Sequence, residues 1–206
     1  MSTVRRTALS AVREPPAPQQ VETMNPSQLA RRARVLEAVV EMISAGADEE
    51  MQMKEIADTS GVALGTIYRY FSSKDHLMAA ALVEWTRGLE QRLRTRPTPS
   101  GSPADQLIAI IRLALRAYQR YPSFARLLIF VANSSDAYAS DCYRQMGPVV
   151  YSTFDAPELD PDTREQVLTL IGALWYRELV EWANGRRPIG EVQASLERAV
   201  RFLLPD

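Results

Sequence analysis

The chain has 206 residues, of which 46% are hydrophobic and 24% are charged, and its formal net charge is −1 at pH 7. This length and apolar content suffice for one extended domain or two modest ones, so the composition excludes a wholly disordered protein. No apolar run approaches the ~20 residues of a membrane-spanning helix, and the N-terminus lacks the apolar segment of a secretory signal. We therefore expect a cytoplasmic protein without membrane contact.

The chain holds one cysteine, Cys142, and one histidine, His76. A single cysteine forms no internal disulfide, and these two residues are too few for a His/Cys zinc site. We therefore predict no metal site and no cofactor. We also predict a packed or partly exposed thiol at Cys142 and a solvated imidazole at His76. Because the chain shows no cluster of convergent catalytic groups, we expect that it is not an enzyme.

Residues 1–25 are rich in Pro, Gln, Ser, Thr and Arg, which indicates a disordered leader. Its arginines could follow DNA phosphates, although a solvated tail is the simpler interpretation. Beyond the leader, apolar residues recur at three- and four-residue steps between proline, glycine and serine breaks. Helices are predicted at about residues 27–45, 51–59, 62–68, 73–94, 105–120, 123–133, 137–154, 163–184 and 189–204. We therefore predict an all-α fold of about nine helices, with a first domain at residues 26–77 and a second at 78–206.

The second and third predicted helices are short and are joined by a tight turn at Gly61, which is the pattern of a helix-turn-helix. Val62, Ile67 and Phe71 are placed to anchor the second of these helices to the core. The outward residues predicted to meet base edges are Ala63, Leu64, Gly65, Thr66 and Tyr70. The other predicted DNA contacts, chiefly with phosphates, are Gln52, Lys54, Tyr68, Arg69 and Lys74.

A structural interpretation of this pattern stays open at this point, because any small helical bundle contains such turns. Residues 27–76 also carry six Lys or Arg against eight Asp or Glu, so the region has no basic excess. Spacing alone therefore leaves the DNA-binding and the structural interpretations about even.

Residues 53–77 contain, in order, Ile-Ala, a Gly-Val turn, Thr-Ile-Tyr-Arg-Tyr-Phe and Lys-Asp-x-Leu. Over residues 27–77 the chain resembles the N-terminal domain of the TetR family of repressors. The resemblance implies a DNA-binding domain followed by a helical domain that binds an inducer and dimerises. The sequence departs from the family at Gln52-Met53, where Thr-Val is common. Ala173-Leu174-Trp175 and Val180-Glu181-Trp182 are similar to the actinobacterial steroid-catabolism repressors, which implies an inducer of the steroid coenzyme A thioester class.

Apolar residues at helical spacing in the second domain are candidates for the wall of a ligand cavity. They are Leu113, Ala117, Phe124, Leu127, Leu128, Val131, Tyr143, Met146, Val150, Phe154, Leu170, Leu174 and Trp175. Any one of them is more simply a core residue, since cavities and cores use the same residue types, but the resemblance favours a cavity for the set. The ligand is then expected to be large and mostly apolar, such as a steroid or fatty acyl coenzyme A thioester. Arg116, Arg120 and Arg126 could meet an acidic headgroup or could simply be solvated.

The last two predicted helices carry more apolar residues than one core contact needs, which predicts a four-helix interface between two copies. These residues are Val167, Leu170, Ile171, Leu174, Leu179, Trp182, Val192, Leu196, Val200 and Leu203. A symmetric dimer would place two recognition helices in successive major grooves ~34–36 Å apart. We therefore predict a ligand-responsive repressor that binds a palindromic double-stranded operator as a homodimer. The alternatives are an all-α small-molecule carrier or enzyme with an incidental helix-turn-helix, and a dimeric scaffold.

Overall fold

The computed structural model describes residues 17–95, 101–154 and 156–204, and in these ranges the chain has nine α-helices and no strand. They are α1 (Pro26–Ser44), α2 (Met53–Ser60), α3 (Leu64–Tyr70), α4 (Lys74–Arg94), α5 (Pro103–Arg120), α6 (Pro122–Ala132), α7 (Ala137–Tyr151), α8 (Pro161–Ala183) and α9 (Ile189–Leu203). The predicted all-α class is therefore confirmed. The helix ends agree with the predicted ones to within about three residues, the usual uncertainty of such boundaries.

The segment before α1 is ordered from residue 17, so the prediction of a disordered leader up to residue 25 is wrong for its last part. Val21–Thr23 form one turn of 3₁₀ helix, and Met24 is buried in the core. The backbone N–H of Gln19 donates to the carbonyl of Arg69 at 2.9 Å, which ties this segment to the end of α3. A single buried methionine produces no periodic pattern, so the sequence carried no signal for it. Residues 1–16 lie outside the described residues.

The helix ends follow from local sequence. Asn25 caps α1 by accepting from the Gln28 backbone N–H at 3.0 Å, and the Gln28 side chain accepts in turn from the Asn25 backbone. Ser73 caps α4 by accepting from the His76 N–H at 3.0 Å. Helix α2 ends at Gly61, whose φ of 62° is left-handed and would cost another residue ~1–2 kcal/mol. The short turn between α2 and α3 therefore depends on glycine.

Two clusters of buried apolar residues hold the chain together. The first runs from α1, α2 and α3 through the first half of α4 into α6 and α7, so it crosses the predicted border at residue 77 without a gap. The second joins α5, α8 and α9. Helix α4 belongs to both halves of the chain, because its residues 77–83 are buried in the first cluster while its later turns reach toward α5.

More of the apolar side chains of α8 and α9 are buried within this chain than the sequence predicted. Six of the residues predicted for a dimer interface are buried within this chain, five of them in the second cluster, where α9 packs against both α5 and α8, and Leu179 in the first. They are Val167, Ile171, Leu179, Val192, Leu196 and Val200. The assignment of these six to a dimer interface is therefore corrected. Leu170 and Phe202 remain 55% and 85% exposed, and Leu174, Trp182 and Leu203 are half-buried.

In the part of the chain that the structure describes, no helix is both long and apolar enough to span a membrane. No group of three His, Cys, Asp or Glu side chains among those same residues is arranged to hold a metal ion.

Candidate DNA-binding surface and ligand cavity

Helix α3 has an outward and an inward face, which its anchoring residues define. Val62, Ile67 and Phe71 are buried, as predicted, and hold the helix against α1, α2 and α4. On the other side, the first turn at residues 63–65 is exposed, as are Tyr68 and Arg69, and Thr66 is half-buried. A short helix whose outer face offers small groups, one hydroxyl and one phenol has the dimensions and chemistry to enter a major groove.

Tyr70 does not lie on this outward face, so its predicted role at base edges is corrected. Only 1% of Tyr70 is exposed, and its hydroxyl accepts from the Nε of Arg31 at 3.4 Å. Arg69 stacks over the Tyr70 ring with its guanidinium carbon 5.4 Å from the centroid. Because Tyr70 lies three residues after Ile67, the helical repeat turns it toward the core beside Ile67.

The remaining predicted DNA contacts lie at the edges of α2 and α4. Lys54 is exposed and Lys74 is half-buried. Gln52 is exposed, but its groups already have partners within the chain. Its backbone N–H donates to Oε2 of Glu55 at 2.9 Å, and its side-chain amide donates to the carbonyl of Glu50 at 3.2 Å. Contact between Gln52 and a phosphate would therefore require exchange of these hydrogen bonds.

Helices α4, α5, α6, α7 and α8 surround a partly open cavity of about 500 Å³, within the ~300–1,000 Å³ range of small-molecule sites. The described residues lining it are Thr86 and Leu89 of α4, Ile110, Ile111, Ala114 and Tyr118 of α5, Leu128 of α6, Tyr143, Arg144, Met146, Gly147 and Tyr151 of α7, and Thr169, Gly172, Trp175 and Tyr176 of α8. The wall is mostly apolar and aromatic, so it suits a large apolar ligand.

Four of the predicted ligand contacts line this cavity, namely Leu128, Tyr143, Met146 and Trp175. The structure places eight others elsewhere, and the prediction is corrected for Leu113, Ala117, Phe124, Leu127, Val131, Phe154, Leu170 and Leu174. Most of these are core residues. On α5 the cavity faces Ile110, Ala114 and Tyr118, whereas Leu113 and Ala117 lie on a neighbouring stripe of the helix. The side chain of Val150 lies outside the described residues.

The hydroxyls of Tyr118, Tyr143 and Tyr151 make no hydrogen bond to any residue that the structure describes. Burial raises the pKa of all three phenols, that of Tyr151 to about 12. They are therefore neutral at pH 7 and available to orient a ligand. The rings of Trp85 and Trp175 contact Tyr118 with centroids 4.9 and 5.7 Å away, which makes this wall aromatic.

The three arginines considered for an acidic headgroup do not line the cavity, so that interpretation is corrected. Arg116, Arg120 and Arg126 are exposed, and Arg126 donates to the hydroxyl of Ser123. Arg144 is the arginine on the wall, and it pairs with Asp141 on the same helix. Sequence reasoning missed it because α7 has a mixed pattern of polar and apolar residues.

His76 is buried rather than solvated, which corrects the prediction for this residue. Its ring stacks on Tyr138 with centroids 5.2 Å apart and meets the edge of Phe71 at 5.4 Å. Burial lowers the pKa of His76 to about 4, although Asp136 acts in the opposite direction. The ring is therefore neutral at pH 7, and its Nδ1 accepts from the backbone N–H of Ser72 at 3.2 Å. Cys142 is a half-buried free thiol, as expected.

Two family models match the chain, and they coincide with the two regions just described. The model for bacterial regulatory proteins of the tetR family matches residues 35–81, and the model for the tetracyclin repressor-like C-terminal domain matches residues 101–203. The chain belongs to the TetR family. In this TetR-family regulator, the first match ends inside α4 and the second contains α5 to α9, so α4 connects the two matched regions.

The HTH-type transcriptional repressor KstR of Rhodococcus jostii (strain RHA1) is 31% identical over 183 residues, which covers 87% of this chain and 85% of that protein. The crystal structure of a TetR transcriptional regulator from Rhodococcus sp. RHA1 superposes with a TM-score of 0.74 at 28% identity, covering 87% of this chain and 98% of the other. Thermus thermophilus FadR, a TetR-family repressor in complex with lauroyl-CoA, superposes with a TM-score of 0.66 at 18% identity. The superposition covers 82% of this chain and 92% of the other. This last likeness concerns the fold alone.

Proposed function

We propose that this TetR-family regulator is a ligand-responsive transcriptional repressor, which binds a palindromic operator as a homodimer and leaves it when a large apolar inducer binds. The observation that carries the proposal is the position of α4. Thr86 and Leu89 of this helix line the cavity. Its first turn is separated from the end of α3 by only three residues, the buried Phe71 and the half-buried Ser72 and Ser73. A ligand that moves α4 therefore also moves the DNA-binding helix.

We propose that residues of α3 read the operator. The small groups of Ala63, Leu64 and Gly65 and the hydroxyl of Thr66 would meet base edges, since they occupy its exposed first turn. Phosphate contacts would come from Tyr68, Arg69, Lys54 and Lys74, and from Gln52 after exchange of its internal hydrogen bonds. The first turn then carries specificity and the flanking cations carry affinity.

We propose that the dimer forms through the outward faces of α8 and α9. Phe202 is a phenylalanine with 85% of its surface exposed, and Leu170 is 55% exposed, which is costly for a monomer in water. Leu174 and Leu203 are half-buried on the same two helices, so a second copy that packs there would cover further apolar surface. The six predicted residues that are buried in this chain would support the interface from behind.

For the inducer, we propose a coenzyme A thioester of a steroid or a fatty acid. The cavity of about 500 Å³ is large and mostly apolar, and its free phenol hydroxyls can orient a carbonyl. The R. jostii repressor KstR, similar along most of both chains, and the sequence resemblance to steroid-catabolism repressors support this class. The cavity would hold the apolar acyl group, and the nucleotide part would extend outside it.

The test is binding of the untagged protein to the DNA upstream of its own coding region, measured by fluorescence anisotropy across a salt series. We expect tight binding that weakens steeply with salt and is reversed by lauroyl-CoA or by lithocholoyl-CoA. Binding that neither thioester reverses would remove the inducer class and keep the repressor. Thioester binding without any DNA binding would instead favour the small-molecule carrier.

Two variants test the assignment of DNA contacts. Thr66→Ala should change the ranking of operator variants, because it removes a base contact. Tyr68→Ala should weaken binding to all sequences alike, because it removes a phosphate contact. Tyr68→Phe is the matched control, since it removes only the hydroxyl. If both alanine variants lose affinity equally on matched and mismatched operators, these roles are wrong.

A further inference from the structure

The N-terminal ends of α4 and α7 are joined by hydrogen bonds between side chains. The hydroxyl of Ser73 donates to Oδ2 of Asp136 at 2.8 Å, and the hydroxyl of Ser134 donates to Oδ2 of Asp75 at 2.5 Å. The backbone N–H of Asp136 donates to the Ser134 hydroxyl at 3.1 Å, which joins the two bonds. We name Ser73, Asp75, Ser134 and Asp136 the cap bridge.

The cap bridge uses the same atoms that begin the two helices. The Ser73 hydroxyl accepts from the backbone N–H of His76 at 3.0 Å and so caps α4. Oδ1 of Asp136 accepts from the backbone N–H of Ala139 at 2.9 Å and so caps α7. Each capping side chain thus bonds at once to its own helix and to the other cap. Neither helix can tilt at its first turn without changing this geometry.

Aromatic rings connect the cap bridge to the DNA-binding helix. Tyr138, in the first turn of α7, stacks on His76 in the first turn of α4, and His76 contacts the edge of Phe71. Phe71 directly follows α3 and is completely buried. The first turn of α7 is therefore packed, through one histidine, onto the residue that fixes the end of α3.

The other end of α7 lies on the ligand cavity. Tyr143, Met146, Gly147 and Tyr151 line it, whereas α7 makes little direct contact with α8 across the cavity. Helix α7 has 15 residues and is about 22 Å long at ~1.5 Å per residue. A ligand that displaces its cavity-lining turns therefore acts on a rigid helix whose far end is held by the cap bridge.

We propose that the cap bridge couples the cavity to the DNA-binding unit, with Ser73 and Asp136 as positioning residues that transmit movement of α7 to the first turn of α4. This inference rests on the proposed function and concerns its regulation. Coupling between two sites requires an element whose arrangement both sites influence. Helix α7 with the cap bridge meets that requirement, because one of its ends contacts the ligand site and the other contacts the support of α3.

The test compares Ser73→Ala and Asp136→Asn with two variants that change a cap but no bridge. Asn remains a good helix cap, so Asp136→Asn alters chiefly the bond to Ser73. The matched controls are Ser102→Ala and Asp160→Asn, because Ser102 caps α5 and Asp160 caps α8, and among the described residues the side chain of each bonds only within its own first turn. The measured quantity is the coupling factor, defined as the ratio of operator Kd with and without lauroyl-CoA or lithocholoyl-CoA.

We expect both cap-bridge variants to bind the thioester within twofold of the unmodified protein and to lose at least fivefold in the coupling factor. The two control variants should keep the coupling factor. A merely structural role would lower the stability of the cap-bridge variants without changing the coupling factor. An unchanged coupling factor in both cap-bridge variants would overturn the proposal.

A second measurement needs no inducer and separates failure of this inference from failure of the proposed inducer class. Coupling is reciprocal, so operator DNA should slow amide hydrogen exchange in residues 137–142 of α7. The slowing should vanish in Ser73→Ala and persist in Ser102→Ala. If the operator binds tightly but exchange in α7 does not change in the unmodified protein, the cap bridge does not couple the sites.

Discussion

Protonation of His76 is the perturbation whose effect the structure defines best. The ring lies between Phe71 and Tyr138, and burial lowers its pKa from 6.5 to about 4. At ~1.4 kcal/mol per pKa unit the full shift corresponds to about 3 kcal/mol, and we expect about 2 kcal/mol because solvent screens part of the ring. The unfolded chain binds the proton more tightly. The contribution of His76 to stability is therefore fully present above pH 6.5 and is lost as the pH decreases from 6.5 toward 4.

Since His76 is the only histidine, NMR of the untagged protein gives an unambiguous assay. Its imidazole resonance should not titrate between about pH 8 and 5.5. In urea unfolding, the stability of the unmodified protein relative to His76→Gln should fall by about 1.5 kcal/mol between pH 7.5 and 5, because protonation of carboxylates affects both proteins alike. A titration midpoint near 6.5, or a difference between the two proteins that is independent of pH, would refute the burial argument.

Four further predictions concern single side chains. Gly172→Leu should abolish release from DNA by the thioester while DNA binding persists, because a Cβ at Gly172 meets open space in the cavity and the leucine side chain would occupy it. The control is Gly88→Leu, because Gly88 is an exposed helical glycine of α4. Phe71→Ala should cost ~3–5 kcal/mol in urea unfolding, because the ring is completely buried. Arg112→Ala should cost under ~1 kcal/mol, because Arg112 is exposed and solvent screens its bidentate pair with the half-buried Glu197. Phe202→Glu should shift the protein from dimer to monomer in analytical ultracentrifugation.

Periodicity predicted the helices well because most of them bury one face against a neighbour. The breaks at Gly61 and at Tyr121-Pro122 coincide with the observed helix ends, since glycine and proline act through local backbone geometry. The segment with Met24 was missed because its order comes from one buried side chain and one bond to α3. Such tertiary contacts leave no local pattern.

The sequence predicted an apolar ligand cavity, but it identified only some of the residues that line it. Helix α5 carries apolar residues on several stripes, so sequence alone does not indicate which stripe faces an empty space. Leu113 with Ala117 and Ala114 with Tyr118 have the same spacing of four, yet only the second pair lines the cavity. The choice depends on where α7 and α8 lie, which is a property of the whole fold. The error at Tyr70 has a different origin, because the helical repeat already places Tyr70 on the same side of α3 as the anchoring residue Ile67.

The cavity lies where the two apolar clusters of the protein fail to merge. Tyr118, Leu128 and Met146 on its wall belong to the first cluster, Ile110 and Ile111 belong to the second, and Trp175 packs against both. An apolar ligand there would gain roughly 25 cal/mol for each Å² of apolar surface removed from water. That gain would be largest when the walls close on the ligand, so in the proposed mechanism binding would favour movement of α7 relative to α8. In the proposed mechanism the clusters would therefore turn binding free energy into helix displacement, since the first cluster extends directly to the residues that support α3.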